Sequence, residues 1–588
     1  MSLRSFQSEI QEIHARELAR QRGQGSSVAP APRNIHARKI QILEESNIVG
    51  GPPPSRDAGV EDEVEAVLAL LSIHDYDRAR TSVAQLITGR KGEYIFRIGC
   101  RPSHASLFAG ESVDDATGWS GVPRTDVEVT SLQSSVKRVV EELGGKISVL
   151  FETTDSHYPR ATLLLRLPPP SIALVPEVRC AVVGNVDSGK STTLGVLTRG
   201  PLDDGRGRAR VALFRHKHEI ETGRTSSVGM EILGFSTAGV PVLPDIPPSA
   251  DADVIRRDKL GWDEISAQSA KIVSFSDLAG HERYLKTTLY GLTSGAPSCV
   301  ILMVGANAGL IGMSKEHLAI ALALSVPVVV CITKIDMTPP NILNETTKQV
   351  VKILKSPGCR KTPVFVNSME VAVESSQTFA QHKLCPIFRV SNVTGEGLDY
   401  FRTFLNLLPS SEADTETFAV DQPLEYSVTD VWSVPYVGTV VNGILNSGSV
   451  KTGDSSTVVR SMQRKRADVA TAEAGQCVAL ALKRVKRAAV RKGMVIVHKT
   501  DTPPKATRQF EGQVLILYHN TTMQQNYQAV RQTVRIISMD NPEGILRTGD
   551  RATVQFEFIT QPEFVKVGMK LLFREGKTKG LGVITRLL

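Results

Sequence analysis

Paired cysteine is missing from this chain. Its seven cysteines (Cys100, Cys180, Cys299, Cys331, Cys359, Cys385, Cys477) are odd in number and scattered, with no C-x-x-C pair and no His-rich partner. That argues against a disulfide framework and a zinc ribbon, and favours buried thiols in a reducing cytosol. Long apolar runs are missing too. The longest, 318–333, is interrupted by Ser325 and Pro327 and is too short to span a bilayer comfortably. It reads as a helix end, a turn and a buried strand. The opening residues, Met1-Ser2-Leu3-Arg4-Ser5-Phe6-Gln7, have no apolar core and do not read as a secretion signal. A cytoplasmic chain acting away from membranes, as a monomer, is expected.

Acidic charge is scarce in one stretch. Arg460, Arg464, Lys465, Arg466, Lys483, Arg484, Lys486, Arg487, Arg491 and Lys492 are opposed only by Asp468 and Glu473. Ten minus two equals the net +8 of the whole chain. Such a patch favours a polyanionic partner, because phosphate contacts release counterions.

With 41% hydrophobic and 22% charged residues, the composition is that of a soluble globular chain. A length of 588 residues suggests several domains, at about 150 residues each. Residues 1–63 read as a disordered tail, with a Gly/Ser/Pro/Ala-rich stretch at 23–32 and Gly50-Gly51-Pro52-Pro53-Pro54 as a breaker cluster. A short amphipathic helix over 6–20 would interrupt it. A small α/β domain is expected over 64–170, with helices at 64–71 and 136–143 and strands at 93–98, 147–151 and 162–167. Pro168-Pro169-Pro170 closes it as a stiff linker. Over 176–411, strands alternate with helical patterns. The apolar runs at 178–183, 272–275, 300–304 and 328–332 suit strands buried on both faces of a doubly wound, mostly parallel sheet. After an acidic linker, short strands separated by turn residues predict two β-barrels, 421–502 and 507–588.

The richest motif is Gly184-Asn185-Val186-Asp187-Ser188-Gly189-Lys190-Ser191-Thr192. It fits G-x-x-x-x-G-K-[ST] between a predicted strand and a predicted helix, the context a phosphate-cradling P-loop needs. The glycines let backbone N–H groups and the helix N-terminus face a polyphosphate. Lys190 would reach the β- and γ-phosphates, and the Ser191 hydroxyl would bind Mg²⁺.

Three later segments choose the nucleotide. In Thr333-Lys334-Ile335-Asp336, a carboxylate can accept from guanine N1–H and the N2 amino group together. A site of this kind can discriminate by ~10⁴ or more. The loop Ser391-Asn392-Val393 could contact the guanine carbonyl. In Asp277-Leu278-Ala279-Gly280-His281, Asp277 would hold Mg²⁺ through water and Gly280 would offer an N–H to the γ-phosphate. Each segment is weak alone; in this order on successive strands they specify a P-loop GTPase.

These residues resemble translational GTPases of the elongation factor Tu and eukaryotic elongation factor 1-alpha class. The similarity runs from 186–192 through 277–284 and Lys315-Glu316-His317-Leu318, to Tyr436-Val437-Gly438-Thr439-Val440-Val441 and 574–580. A narrower resemblance, carried by 213–227 and Lys355-Ser356-Pro357-Gly358-Cys359-Arg360-Lys361, is to the GTP-binding protein 1 and 2 family. The resemblance implies GTP/GDP and Mg²⁺ as ligands, Thr225 as the switch threonine on Mg²⁺ and His281 as the residue that orients the attacking water. It implies hydrolysis activated by the ribosome, stalled ribosomes and their quality control included, and aminoacyl-tRNA as cargo. Two positions depart from the wider class. Thr333 stands where the class usually has Asn, and a hydroxyl replaces only part of an amide's bonding. Arg224 stands where the bacterial factor has an apolar gate residue, opposite Val186; it points to ribosomal RNA or, alternatively, to the transferring phosphate in cis. Two other readings remain open. One is a GTP-switched adaptor that recruits RNA-decay or rescue proteins through its N-terminal domain. The other is a metabolic GTPase like the elongation-factor-like subunit of ATP sulfurylase.

Overall fold

The computed structural model describes residues 58–588 except for 74, 112–114, 155–156, 215–216, 223–224, 227, 295, 380–382, 411–417, 453–458, 499–505, 519–533, 542–545, 548–549 and 576–577. The expected helix over 6–20, Arg224 and most of the acidic linker lie outside the described residues.

The N-terminal domain comprises α1 (Ala58–Ser72), α2 (Tyr76–Gly89), β1 (Glu93–Gly99), α3 (His104–Ala109), α4 (Asp126–Glu142), β2 (Lys146–Thr153) and β3 (Arg160–Arg166). Helix α1 begins inside the span expected to be tail. Helix α4 opens on a capping box, in which Thr125 and Glu128 satisfy each other's backbone N–H groups. It buries Val129, Leu132, Val136, Val139 and Val140 along one face. The antiparallel sheet has the order β1-β3-β2. Its residues alternate between two interiors. Tyr94, Phe96 and Ile98 pack with α1, α2 and α4, whereas Ile95 and Leu164 pack with Val373 and Leu407 of the next domain.

That next domain is built on an eight-stranded sheet of order β10-β11-β9-β8-β4-β7-β5-β6. Its elements are β4 (Glu177–Gly184), α5 (Lys190–Arg199), α6 (Arg208–Val211), α7 (Lys217–Thr222), β5 (Gly229–Phe235), β6 (Pro241–Val242), α8 (Ala252–Arg257), α9 (Trp262–Gln268), β7 (Lys271–Asp277), α10 (Leu285–Ser294), β8 (Cys299–Gly305), α11 (Met313–Ala323), β9 (Val328–Thr333), α12 (Pro340–Lys355), β10 (Thr362–Phe365), α13 (Met369–Thr378), β11 (Leu384–Arg389) and α14 (Leu398–Leu407). Strands β10 through β7 pair in parallel, and β5 and β6 add an antiparallel edge. Strands β4, β8 and β9 are buried at every residue, as continuous apolar runs in a covered parallel sheet should be. The 318–333 run resolves into the end of α11, a turn with Ser325 at φ 56°, and β9.

The N-terminal sheet is locked onto this domain by charge. Arg97 forks onto Glu374 at 2.8 and 3.0 Å, and Arg160 onto Glu370 at 2.9 Å through each nitrogen. Fully buried Arg166 pairs with Glu93 and donates to Asn406 Oδ1 at 2.9 Å and to the Ser236 carbonyl at 3.1 Å. Glu93 in turn pairs with buried Lys271 at 2.8 Å. Forked Arg–carboxylate pairs fix orientation as well as adding energy.

Two antiparallel β domains follow. Among the described residues the first, between 425 and 497, holds a six-stranded sheet and a two-stranded pair around Tyr426, Val441, Leu445 and Leu480, and the second, between 509 and 587, holds five strands around Phe510, Val514, Phe556 and Ile584. A second anchor joins the first β domain to β4. Glu177, at the start of β4, is buried and accepts from Lys465 and from the Ser274 hydroxyl. Arg464 lies 3.9 Å from the same carboxylate and donates to the Ala173 and Val175 carbonyls, the latter at 2.9 Å. Arg179 reaches across from β4 to the Gly475 carbonyl at 2.7 Å.

Part of the basic stretch is therefore turned to structural use. Arg464 and Lys465 serve the domain junction, Arg491 pairs with Glu563 at 2.6 Å, and Lys492 pairs with Asp430. Arg460, Arg466, Lys483, Arg484, Lys486 and Arg487 remain exposed. The segment around Trp262 is ordered: α9 packs Ile265 and Trp262 beside Ile232 and Ile272, and the Arg466 guanidinium lies 5.4 Å from the Trp262 ring centre.

Candidate functional site

The phosphate loop bridges β4 and α5 at the carboxyl end of the sheet, where ligands bind in open α/β folds. Its backbone is unusual where the motif requires it. Gly189 has φ 84°, and Asp187 adopts the left-handed region at φ 58°. Gly280 permits a close approach from the facing loop, since a Cβ there would lie 2.6 Å from Lys190 Nζ. Helix α11 fixes the start of the loop: His317 Nδ1 accepts from the Gly184 N–H at 3.2 Å, and the Ser314 hydroxyl accepts from the Asn185 N–H at 2.8 Å. The role of this pair was not deduced from the sequence, although His317 stands in the segment that carried the family resemblance.

Lys190 donates to the carbonyls of Gly184 at 3.3 Å and Asn185 at 2.6 Å, which holds its ammonium over the loop. Burial pulls its pKa down to about 8, against the partial support of Asp277 and Asp187. Ser191 Oγ lies 2.6 Å from Asp277 Oδ2 and 2.9 Å from Thr225 Oγ1. Burial pushes the Asp277 carboxyl up to about 6, outweighing the Ser191 hydrogen bond and Lys190. Asp277 Oδ1 is buried with no hydrogen-bond partner among the described residues. Three oxygens of the right kind thus converge beside an unsatisfied carboxylate atom, a donor set that suits a hard divalent cation. The residues fit Mg²⁺.

Thr225 is held by its neighbour. Buried Glu219 accepts from both the N–H and the hydroxyl of Ser226, each at 2.8 Å. His281 lines the same pocket as Val186, Asp187, Lys190, Ser191, Thr192, Thr225 and Gly280. Its Nδ1 accepts the Arg283 N–H at 3.1 Å, so the neutral ring carries its proton on Nε2.

The segments expected to read the base adjoin the phosphate loop and the helix after it. Thr333 is buried, and its hydroxyl donates to the Ser188 carbonyl at 2.9 Å. It thereby ties the end of β9 to the phosphate loop, the part of an amide's bonding that a hydroxyl can supply. Lys334 sits at φ 63° and Asp336 is exposed beyond it. Ser391 Oγ is used within its own loop, accepting from the Val393 and Thr394 N–H groups. Asn392 donates to Thr193 Oγ1 at 3.0 Å, so that side chain braces α5, while Val393 is exposed.

A P-loop, an acid-bearing strand end and a T-K-x-D turn on one mixed sheet, followed by two β domains, define a GTPase of the elongation-factor class. Residues 176–424 match the family model described as the elongation factor Tu GTP binding domain. The chain is 42% identical over 583 residues to GTP-binding protein 1 of Xenopus laevis, covering 96% of this chain and 84% of that one. It is 39% identical over 560 residues to GTP-binding protein 2 of Homo sapiens, covering 91% and 88% respectively. Among solved structures it is similar to a bacterial selenocysteine-specific elongation factor EF-Sec, with a TM-score of 0.47 and 21% identity over 69% of this chain and 58% of that one. The chain belongs to the GTP-binding protein 1 and GTP-binding protein 2 family of translational GTPases. No helix among the described residues is long and apolar enough to cross a membrane.

Proposed function

We propose that this chain binds GTP with Mg²⁺, engages aminoacyl-tRNA and the ribosome in the cytosol, and hydrolyses GTP when the ribosome completes the site. The observation that carries this reading is the convergence of Lys190, Ser191, Thr225, Asp277, Gly280 and His281 around one phosphate-sized pocket. Ser191, Thr225 and Asp277 would hold the ion, which supplies charge neutralisation at the β- and γ-phosphates. Lys190 binds the same phosphates as a point charge. The Gly280 N–H and the loop amides point donors at the developing charge without reorganising. His281, anchored through Nδ1, offers Nε2–H to a water and orients it. Thr225 and the Glu219–Ser226 clasp couple the switch segment to the terminal phosphate, so its loss on hydrolysis releases that segment. The exposed cations of the first β domain supply phosphate-directed charge for RNA.

His281→Ala should lower ribosome-stimulated hydrolysis by about 10²–10⁴-fold, with GTP still bound. A variant that turns over GTP at the unmodified stimulated rate would show that the histidine has another job. The reading as a whole is tested by GTP turnover with purified ribosomes, with and without charged tRNA. Turnover indifferent to ribosomes would favour a metabolic GTPase instead.

A further inference from the structure

The phosphate pocket contains a cation that the P-loop pattern does not announce. Arg210 lies on α6, between the P-loop helix and the switch threonine, and lines the pocket with Lys190, Thr225 and His281. Among the described residues its side chain has no hydrogen-bond or ion-pair partner, and its Nε is closed off from solvent. Three other arginines of this region, Arg199, Arg208 and Arg256, are engaged. Arg208 donates to the carbonyls of Leu202, Pro248 and Ala250, Arg256 to that of Phe214 at 2.6 Å, and Arg199 to Glu231 at 2.6 Å.

The backbone under Arg210 is fixed. Asp203 accepts from the N–H groups of Gly205, Gly207 and Ala209 at 3.1, 3.2 and 2.9 Å. Gly195 on α5 lets α6 approach so closely that a Cβ would overlap the Ala209 carbonyl. Gly207 has φ 95°, and a Cβ there would lie 2.5 Å from Arg210 Nε and 2.9 Å from Cζ. The guanidinium therefore lies directly over Gly207, where no side chain displaces it. A guanidinium drawn partly out of water with no anion beside it is costly, and a polyphosphate arriving in this pocket removes that cost.

We propose that Arg210 binds the terminal phosphate of GTP from within the same chain and stabilises the charge that builds there during hydrolysis. The proposal rests on the GTP site described above and adds to it an arginine supplied in cis. Water oxygen bonds to the γ-phosphorus as the bond from that phosphorus to the β–γ bridging oxygen breaks. The bond's electron pair leaves with GDP, and the water's proton ends on the released phosphate. Arg210 takes the role that the sequence left open for Arg224.

The test uses the full chain carrying Arg210→Ala or Arg210→Gln, without ribosomes. Single-turnover GTP hydrolysis should fall by about 10³-fold, the low end for an arginine of this kind. Affinity for a non-hydrolysable GTP analogue should fall about tenfold, one charge-assisted contact's worth, while affinity for GDP stays unchanged. Arg210→Lys should recover only part of the rate, because an ammonium lacks the planar fork. Equal losses for GDP and the analogue would mean the residue merely supports the fold and would overturn the proposal, as would an unchanged hydrolysis rate. An unmodified chain that binds neither nucleotide would sink the GTP site itself, and this proposal with it.

Discussion

Asp336→Asn is expected to move nucleotide preference from GTP toward XTP by about 10⁴-fold. The carboxylate follows Lys334, whose left-handed backbone turns the chain after β9, and the Thr338 hydroxyl secures that turn through the Lys334 carbonyl at 2.7 Å. Thr333 ties the same strand end to the phosphate loop. An amide at 336 presents a donor where the carboxylate accepts, which mismatches the guanine amino group and matches the xanthine carbonyl. Competition titrations with the two triphosphates read the ratio directly. Guanine preference that survives the change would mean that Asp336 does not read the base.

The second large effect is on stability. Glu177→Ala should destabilise the chain by about 3–5 kcal/mol, the usual result of stripping a buried ion cluster of its one anion. The loss would leave Lys465, Arg464 and Arg179 together at the junction of β4 with the first β domain. Burial alone would raise this carboxyl, but Lys465, then Arg179 and Arg464, bring it down to about 2. An unfolded glutamate titrates near 4.3. The folded value is the lower of the two, so the stabilisation is complete above about pH 4.3 and is lost as the pH falls toward 2. Thermal unfolding of the two proteins at neutral pH and near pH 3 checks both statements. The gap should narrow in acid; a gap that is absent at neutral pH would mean the cluster contributes no net stability.

The sequence disclosed those parts of the molecule whose chemistry demands particular residues at particular spacings. A phosphate loop cannot do without Gly184, Gly189 and Lys190, and strands buried on both faces cannot hide their apolar runs. Other parts obey no local rule. Helix α2 buries only Ala79, Val83, Leu86 and Ile87 amid polar residues, and so gives a weak periodic signal. Strand β5 joins the sheet only by pairing antiparallel with β7, which lies beyond β6, α8 and α9 along the chain. Charge composition does not say which cations of the basic stretch face inward; for Lys465, Glu177, nearly 290 residues earlier, decides that. Arg210 escaped notice because no motif prescribes an arginine there, and only the folded chain sets it beside Lys190.

The N-terminal sheet carries a practical warning for anyone dissecting this molecule. One of its sides is already occupied by the nucleotide-binding domain, through Ile95, Leu164, Arg97, Arg160 and Arg166. Excising the first 170 residues would strip Val373 and Leu407 of their cover and leave Glu370, Glu374 and Lys271 without counter-charges. Such a truncated protein would tend to clump, and its failure to capture a partner would say little about recruitment. Changing outward-facing side chains on α2 and α4 probes the same question with the rest of the machine intact.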